Sequence, residues 1–296
     1  MTAVHGIGSR MCGILFAGLL LIPVSCATTK TAEPASAAPS RPILKVGHRG
    51  AAGLMPENTL VSFRKGLECG ADIIELDVHL SSDGELVVMH DPKVERTTDG
   101  SGELGTKTFA EIRKLNAAAK FTKAAVEPQQ VPTLQEALDV LKPSGCEIHI
   151  EIKLRSDGTR YAGIEKKVLD LVRGNDLLEK AVITSFDQPT LKELKVLEPK
   201  VRTLISVNKS YFQAAGMRGP ESIADELSKL GLEYVAIDQG WLLPAYVKAL
   251  HAKGLRVGVW TVDDEGTIRR FISMDVDFIT SNRPDLLLKV LGPTPK

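Results

Sequence analysis

The sequence predicts an α/β protein, a closed (β/α)8 barrel with a small cap inserted after the second strand. Eight short runs of β-branched and aliphatic residues lie at 43–47, 72–78, 147–152, 181–185, 201–206, 234–237, 256–260 and 276–280. Amphipathic segments separate most of them, at 59–69, 133–141, 161–172, 188–197, 245–253 and 266–273. Strand and helix alternating over about 250 residues is typical of this barrel. A doubly wound sheet is the alternative, but no glycine-rich nucleotide fingerprint follows the first strand.

Residues 91–130 interrupt this alternation. They contain Gly100, Gly102 and Gly105, a turn cluster at 97–100 and one predicted helix over 109–115. Long insertions in compact domains are usually functional or disordered. Because this insertion follows a candidate site residue, we expect it to form a cap beside the active site.

Residues 1–40 are expected to lie outside the fold. Uncharged residues 11–24 follow Arg10 and predict a signal peptide over 1–26, since the run is shorter than the ~20 residues of a spanning helix. Cys26 resembles the cysteine of a bacterial lipobox, which favours an exported lipoprotein anchored in the cell envelope or periplasm. Cleavage after Ala27 and secretion, or an uncleaved anchor, are the alternatives. Residues 27–40 are predicted to be a flexible linker, which leaves the domain at 41–292.

Composition excludes several classes of protein. The 37 basic and 37 acidic residues give zero net charge, so no basic excess supports nucleic-acid binding. The 43% of hydrophobic residues can form a core and argue against disorder. Cys69 and Cys146 could form one disulfide or be two buried thiols, and no Cys-x-x-Cys spacing indicates a zinc or redox site.

Three carboxylates are predicted to converge at the mouth of the barrel, where barrel enzymes hold their active sites. Residues i and i+2 of a strand share a face, so Glu75 with Asp77, and Glu151 with Lys153, can point into this mouth. Like charges there would raise one another's pKa unless a cation lies among them. One divalent cation resolves this, and the oxygen ligands favour Mg²⁺ or Ca²⁺ over zinc. For any single residue, a salt bridge with Lys153 or Arg49 is the alternative.

Two histidines, His48 and His90, lie at predicted strand ends near this cluster. A pair of imidazoles suits general acid–base catalysis near neutral pH. The other histidines are expected to be core or surface residues: His5, His79, His149 and His251. Among these, His149 should lie deeper in the barrel and His79 beyond its rim.

Sequence motifs around these residues form an ordered series. The first blocks are Gly47-His48-Arg49-Gly50, Pro56-Glu57-Asn58-Thr59, Glu75-Leu76-Asp77-Val78 and His90-Asp91-Pro92. Further blocks lie at 96–102, 131–134, 151–153, 184–187, 259–262 and 277–280. The series resembles the glycerophosphodiester phosphodiesterase family across essentially all of residues 43–290.

The resemblance implies a barrel enzyme that hydrolyses glycerophosphodiesters, such as glycerophosphocholine or glycerophosphoethanolamine, to sn-glycerol 3-phosphate and an alcohol with one divalent metal. The residues it implies are Glu75, Asp77 and Glu151 for the metal, His48 and His90 for acid–base catalysis, and Arg49 and Lys153 for the phosphate. It leaves open which histidine is the acid. It also leaves open whether the adjacent glycerol hydroxyl attacks to give a cyclic phosphate or water attacks directly.

Several positions bear on the substrate. Asp263 stands where the family often has Asn, and residues 281–282 stand where it often has Asp. These rim positions are expected to influence headgroup preference more than chemistry. Phe186 and Trp260 either contact the glycerol or a hydrophobic exit, or belong to the core.

Two alternative functions remain open. The first is a lysophospholipase D or a sphingomyelinase D-like phospholipase on the same barrel, which an apolar lip on the cap would indicate. The cap is mostly polar, so a soluble small-molecule substrate is favoured, with membrane contact only through the N-terminal lipid or anchor. The second is a non-catalytic binding lipoprotein, which loss of a site residue would have signalled; each expected residue is present.

Overall fold

The computed structural model describes residues 41–295. The predicted signal peptide, Cys26 processing and linker therefore lie outside the described residues. Within this range no helix combines the length and apolar character needed to cross a bilayer.

Eight parallel strands close into a barrel, which confirms the predicted fold class. Residues 41–295 contain nine strands: β1 (Leu44–Gly47), β2 (Ile73–Leu80), β3 (Leu86–Val88), β4 (Glu147–Ile152), β5 (Ala181–Ser185), β6 (Arg202–Val207), β7 (Tyr234–Asp238), β8 (Arg256–Trp260) and β9 (Phe278–Ser281). All except β3 belong to the parallel barrel, whose order is β1-β9-β8-β7-β6-β5-β4-β2. Pairing of β1 with β2, at Val46 and Ile73, closes it.

Helices connect most of these strands. They are α1 (Leu60–Glu68), α2 (Phe109–Ile112), α3 (Leu134–Leu141), α4 (Ile164–Gly174), α5 (Gln188–Leu197), α6 (Lys209–Ala214), α7 (Pro220–Ser228), α8 (Pro244–Ala252), α9 (Glu265–Ile272) and α10 (Pro284–Leu291). The six predicted amphipathic segments correspond to α1, α3, α4, α5, α8 and α9. Several begin at a capping side chain; Thr59 and Asp187 each accept a hydrogen bond from the first turn.

The cap differs from its prediction in detail. Helix α2 ends at Ile112, not at residue 115, because Lys114 N and Leu115 N donate to carbonyl oxygens three residues back instead of four. The backbone N–H of Asn116 then donates to the Asp99 carboxylate. Strand β3 was not among the eight predicted runs, although His90 was expected at the end of a strand; it pairs antiparallel with the last three residues of β2. Apolar side chains of β3 and the cap form a separate small core: Val87, Met89, Val94, Leu104, Ile112, Ala117 and Val131.

The barrel interior is apolar towards the N-terminal ends of its strands. The buried side chains there are Val46, Ile73, Val182, Leu204, Tyr234, Ala236 and Phe278. A Cβ on Gly258 would lie 1.9 Å from the Phe278 ring, so only glycine leaves room for this aromatic side chain. This packing fills the lower barrel and leaves a polar layer at the C-terminal strand ends.

Candidate active site

The turn after β1 is built around two glycines. A Cβ on Gly47 would lie 2.3 Å from the Gly50 carbonyl oxygen, and one on Gly50, whose φ is +85°, would lie 2.5 Å from the Ser62 carbonyl carbon. Arg49 between them has φ +50°, a conformation that is costly for a residue with a side chain. Its carbonyl oxygen accepts hydrogen bonds from Asn58 N (3.1 Å) and Ser62 Oγ (2.8 Å), which hold the turn against α1.

Three carboxylates meet at the ends of β2 and β4. One oxygen from each of Glu75, Asp77 and Glu151 lies within 4.8 Å of the others. All three side chains are buried, and strand register places Asp77 directly opposite Glu151. Lys153 Nζ lies 2.6 Å from Glu151 Oε1 and 3.4 Å from Asp77 Oδ1. The structure therefore brings together the predicted metal ligands and the predicted phosphate-binding lysine.

The charge in this cluster is not balanced by its neighbours. Burial, together with the negative charges of Asp77 and Glu151, raises the pKa of Glu75 well above its usual range. Burial also opposes ionisation of Asp77, but the charges of Lys153 and Arg49 outweigh it and hold the pKa of Asp77 below its usual range. A carboxyl group that resists ionisation beside two others fits a site completed by a hard divalent cation.

His48 lies beside the carboxylates. Its Nε2 is 4.0 Å from Glu75 Oε2, while its Nδ1 lies 2.8 Å from Asn282 Oδ1. Burial, with the positive charge of Arg49, lowers the pKa of His48 to about 4. Asn282 in turn donates to the Asp263 carboxylate at 2.7 Å. Asp263 and Asn282 therefore lie behind the histidine ring, and their expected influence on headgroup preference stays a prediction.

His90 is held from two sides. Its Nδ1 lies 2.6 Å from Asp91 Oδ1. Burial opposes ionisation of Asp91, but hydrogen bonds from His90 and Arg96 hold its pKa below its usual range. His79 lies past the barrel rim, as expected, because the pairing of β2 with β4 ends at Val78 and β2 continues beyond it to pair with β3. His79 is fully buried, its Nε2 lies 3.0 Å from the His90 carbonyl oxygen, and its Nδ1 lies 3.1 Å from Tyr161 Oη.

The side chains of Glu57 and Asn58 support the site, although the sequence analysis gave them no role. Glu57 Oε1 accepts a hydrogen bond from Arg49 Nη1 at 2.7 Å, and both Glu57 oxygens bind the Arg96 guanidinium. Asn58 donates to Asp77 Oδ2 at 2.8 Å. Both residues belong to the motif Pro56-Glu57-Asn58-Thr59, and this motif was the sequence feature that could have identified them as site residues.

A cavity of about 110 Å³ opens above the cluster. Its lining includes His48, Arg49, Glu75, His90, Glu151, Thr184, Phe186, Ser206, Trp260 and Thr280. The Phe186 and Trp260 rings meet edge to face, with centroids 5.5 Å apart, and Phe186 is 38% exposed. Trp260 also donates its indole N–H to the Ala236 carbonyl oxygen at 3.1 Å. Both aromatic residues therefore form one wall of the cavity, and the hydrogen bond to Ala236 anchors Trp260 to the barrel.

The floor of the cavity contains His149, as predicted from its depth in the strand. This ring packs against Phe278, and its Nε2 lies 3.0 Å from Glu147 Oε1. Arg202 donates to the other Glu147 oxygen at 2.6 Å. Burial opposes ionisation of Glu147, but His149 and Arg202 lower its pKa to about 2. This is a structural ion-pair network beneath the site.

The remaining predictions concern residues away from the cavity. His251 lies 2.8 Å from Asp277 in an ion pair near the N-terminal ends of the strands. Cys69 and Cys146 are free thiols, the first buried and the second partly buried. The disulfide alternative is therefore not the arrangement in the structure.

Clustered carboxylates and paired histidines at the mouth of a (β/α)8 barrel define a hydrolase-type active site. Residues 48–286 match the glycerophosphoryl diester phosphodiesterase family, and the chain belongs to this family. It is 32% identical over 248 residues to a glycerophosphodiester phosphodiesterase of Caldanaerobacter subterraneus subsp. tengcongensis, covering 84% of this chain and 97% of that protein. It is 33% identical over 261 residues to one from Bacillus subtilis, covering 84% and 86%.

A solved structure shows the same fold. The crystal structure of a glycerophosphodiester phosphodiesterase from Agrobacterium tumefaciens superimposes with a TM-score of 0.70 at 30% identity. The match covers 84% of this chain and 100% of that chain. The resemblance read from the motifs is therefore confirmed, and with it the expectation of an enzyme of this family.

Proposed function

We propose that the protein hydrolyses glycerophosphodiesters, such as glycerophosphocholine or glycerophosphoethanolamine, to sn-glycerol 3-phosphate and an alcohol in a metal-dependent reaction. The observation that carries the proposal is one cavity lined by both candidate histidines and by Glu75 and Glu151. With Asp77, these two carboxylates form a group whose oxygens lie within 4.8 Å of one another. Relatives that match most of the chain bear the name of this activity.

Glu75, Asp77 and Glu151 would hold one divalent cation, Mg²⁺ or Ca²⁺. Their oxygens suit a hard ion, and the raised pKa of Glu75 supports the presence of added positive charge at this site. When bound, the ion supplies a Lewis acid that stabilises the negative charge developing on the phosphoryl group.

Arg49 and Lys153 are proposed to bind the non-bridging oxygens of the phosphodiester. Each cation is already anchored by carboxylates, Arg49 by Glu57 at 2.7 Å and Lys153 by Glu151 at 2.6 Å. Anchored cations need little reorganisation when charge builds up on the phosphate, and this is the main source of electrostatic catalysis. The planar guanidinium adds directional donors, whereas the ammonium acts as a point charge.

The two histidines occupy different surroundings, and we assign them different roles. His48 has its pKa lowered to about 4, so its ring is neutral near pH 7 and can accept a proton. His90 Nδ1 lies 2.6 Å from the Asp91 carboxylate, which orients the ring and leaves Nε2 to meet the substrate. His48 is therefore the base that takes a proton from the attacking oxygen, and His90 is the acid that protonates the leaving alcohol.

For the attacking group we propose the glycerol hydroxyl next to the ester. Its oxygen bonds to phosphorus as the bond to the leaving alcohol breaks, which gives a cyclic phosphate that water then opens with the histidine roles reversed. A substrate lacking this hydroxyl tests the route. Turnover of that analogue at the normal rate would establish direct attack by water instead.

The cap favours a soluble substrate over a lipid. Its apolar side chains, such as Val94, Leu104 and Ile112, are buried in the small core of the cap, so they do not form an apolar lip at the cavity. The test measures glycerol 3-phosphate release from glycerophosphocholine and from lysophosphatidylcholine, with Mg²⁺, Ca²⁺ or chelator. We expect release from the soluble diester, stopped by chelator and by His48→Ala. Choline release from the lysolipid alone would indicate a phospholipase D, and binding without turnover a binding protein.

We also propose that the protein is exported and anchored to the cell envelope through a lipid on Cys26, or secreted if cleavage follows Ala27. The support is the sequence pattern of residues 1–26. Fractionation of cells expressing the full chain tests this proposal. A membrane-bound wild-type protein and a released Cys26→Ala variant are expected, whereas a cytoplasmic wild-type protein would contradict it.

A further inference from the structure

A chain of hydrogen bonds crosses three neighbouring strand ends behind His48. Asp263 follows β8, Asn282 follows β9 and His48 follows β1, and these strands are adjacent in the barrel. Asn282 Nδ2 donates to Asp263 Oδ2 at 2.7 Å, and Asn282 Oδ1 lies 2.8 Å from His48 Nδ1. The backbone also joins these segments, since His48 N donates to the Ser281 carbonyl oxygen at 2.9 Å.

The Asp263 carboxylate is held in a fixed orientation. Its Oδ1 accepts hydrogen bonds from Asn282 N at 2.8 Å and from Ser281 Oγ at 3.0 Å. Arg283 N donates to the same serine hydroxyl at 2.9 Å, so that hydroxyl directs its own hydrogen towards Asp263. The second oxygen of Asp263 is thereby presented to the Asn282 amide.

This arrangement determines which way the amide faces. A carboxylate can only accept hydrogen bonds, so the NH₂ group of Asn282 must face Asp263 and its oxygen must face His48. A flipped amide would place two oxygens against each other and lose the bond to Asp263. The amide oxygen is an acceptor, and it therefore requires a proton on His48 Nδ1.

We propose that Asp263 and Asn282 are positioning residues that hold His48 as the Nδ1–H tautomer and so direct the Nε2 lone pair towards the cavity. A neutral imidazole carries one N–H and one lone pair, and the partner of one nitrogen sets the state of the other. The catalytic consequence rests on the function proposed above, whereas the tautomer itself does not.

In the reaction, the hydroxyl O–H bond breaks as its proton passes to His48 Nε2, and the electron pair of that bond forms the new bond to phosphorus. The bond from phosphorus to the leaving alcohol breaks, and that oxygen takes a proton from His90. The His48 ring keeps its Nδ1–H bond to Asn282 throughout, so its orientation does not change. The opposite tautomer would present an N–H to the attacking hydroxyl and could not accept its proton.

The experiment reads the tautomer directly by long-range ¹H–¹⁵N correlation spectroscopy of the imidazole rings, on the metal-free protein near neutral pH. Loss of one ring's signals in His48→Gln assigns that ring. We expect a protonated Nδ1 and an unprotonated Nε2 in the wild type. Asn282→Leu removes the acceptor, and Asp263→Leu frees the amide to turn, so both should give a mixture or the Nε2–H form. The signals of His149 and His251 report whether each variant remains folded.

A reciprocal exchange serves as the conservative control. The double variant Asp263→Asn, Asn282→Asp keeps an acceptor at Nδ1 and a hydrogen-bonded partner behind it, so it should retain the Nδ1–H form. In the metal-loaded enzyme, Asn282→Leu should lower kcat about a hundredfold and leave KM within about twofold, because a lost base acts on the chemical step. The exchanged pair should recover most of that loss.

The outcomes separate the two proposals. A wild-type ring in the Nε2–H form, or an unchanged Nδ1–H form in Asn282→Leu, would overturn the positioning role even if hydrolysis is intact. The expected tautomers without any hydrolysis by the wild type would leave the positioning role standing and remove the proposed function. An equal loss of kcat in the exchanged pair and in Asn282→Leu would overturn the claim that the tautomer carries the effect.

Discussion

Replacing Glu75 by Gln should remove most of the rise in melting temperature that divalent metal produces. The melting temperature of the metal-free protein should stay almost unchanged. Burial and the neighbouring carboxylates raise the pKa of Glu75 and so favour its neutral form in the metal-free protein, and Gln has nearly the same shape and no charge. Its side-chain oxygen can still accept the 2.8 Å hydrogen bond from Arg49 N. We therefore expect a melting temperature within about 2 °C of wild type in chelator.

Metal should separate the two proteins. An ion present at about 100 times its dissociation constant stabilises the wild type by about 2.7 kcal/mol, which corresponds to roughly 5–10 °C for a domain of this size. The variant lacks one of three anionic ligands and should show little of this rise. Differential scanning fluorimetry in chelator, Mg²⁺ and Ca²⁺ measures both values.

The matched control is Glu147→Gln, which removes a half-buried carboxylate of β4. This carboxylate faces His149 and Arg202 and lies outside the ligand group. Its melting temperature should rise with metal as in the wild type. An equal rise in Glu75→Gln and wild type would refute the assignment of the carboxylate cluster as the metal site.

Three further outcomes follow from other contacts. Gly50→Ala should lower the free energy of unfolding by about 2–4 kcal/mol, because its Cβ would lie 2.5 Å from the Ser62 backbone at φ +85°; denaturant unfolding within about 0.5 kcal/mol of wild type would contradict this. The pKa of Glu147 falls from 4.5 to about 2 on folding. Its ionised form therefore stabilises the fold by about 3 kcal/mol above pH 4.5, and this stabilisation is lost as pH falls through about 2. The difference in unfolding free energy between wild type and Glu147→Gln should shrink over that pH range, and a constant difference would count against the ion-pair network. Arg96→Gln should lower kcat roughly tenfold by freeing Asp91, with a melting temperature within about 2 °C of wild type because Arg96 is half-exposed; an unchanged kcat would show that the cap does not position His90.

The local sequence was sufficient to predict the barrel and the carboxylate cluster. The strand runs are short and β-branched, and the spacing of Glu75 from Asp77 places both on one face by strand geometry alone. Chain order then brings β2 beside β4, so convergence with Glu151 needs no long-range information beyond the barrel itself. For the same reason the depth of His149 could be read from its position in β4.

Contacts that form when the barrel closes could not be predicted from the sequence. Asn282 meets His48 across 234 positions of the chain, and that contact exists only because β9 pairs with β1. The position of His79 past the barrel rim was predicted, but its complete burial was not, because that burial depends on the pairing of β2 with β3. Helix α6 has six residues, fewer than two helical turns, and is likewise too short for apolar periodicity.

We propose that one divalent cation, bound by the three carboxylates, supports hydrolysis at this site. The most direct measurement strips the purified protein with chelator and then titrates Mg²⁺ or Ca²⁺ back while recording glycerol 3-phosphate release from glycerophosphocholine. We expect no release in chelator, full recovery at one bound ion per chain, recovery in Glu147→Gln and none in Glu75→Gln. Undiminished release in chelator, or recovery in Glu75→Gln equal to wild type, would contradict it.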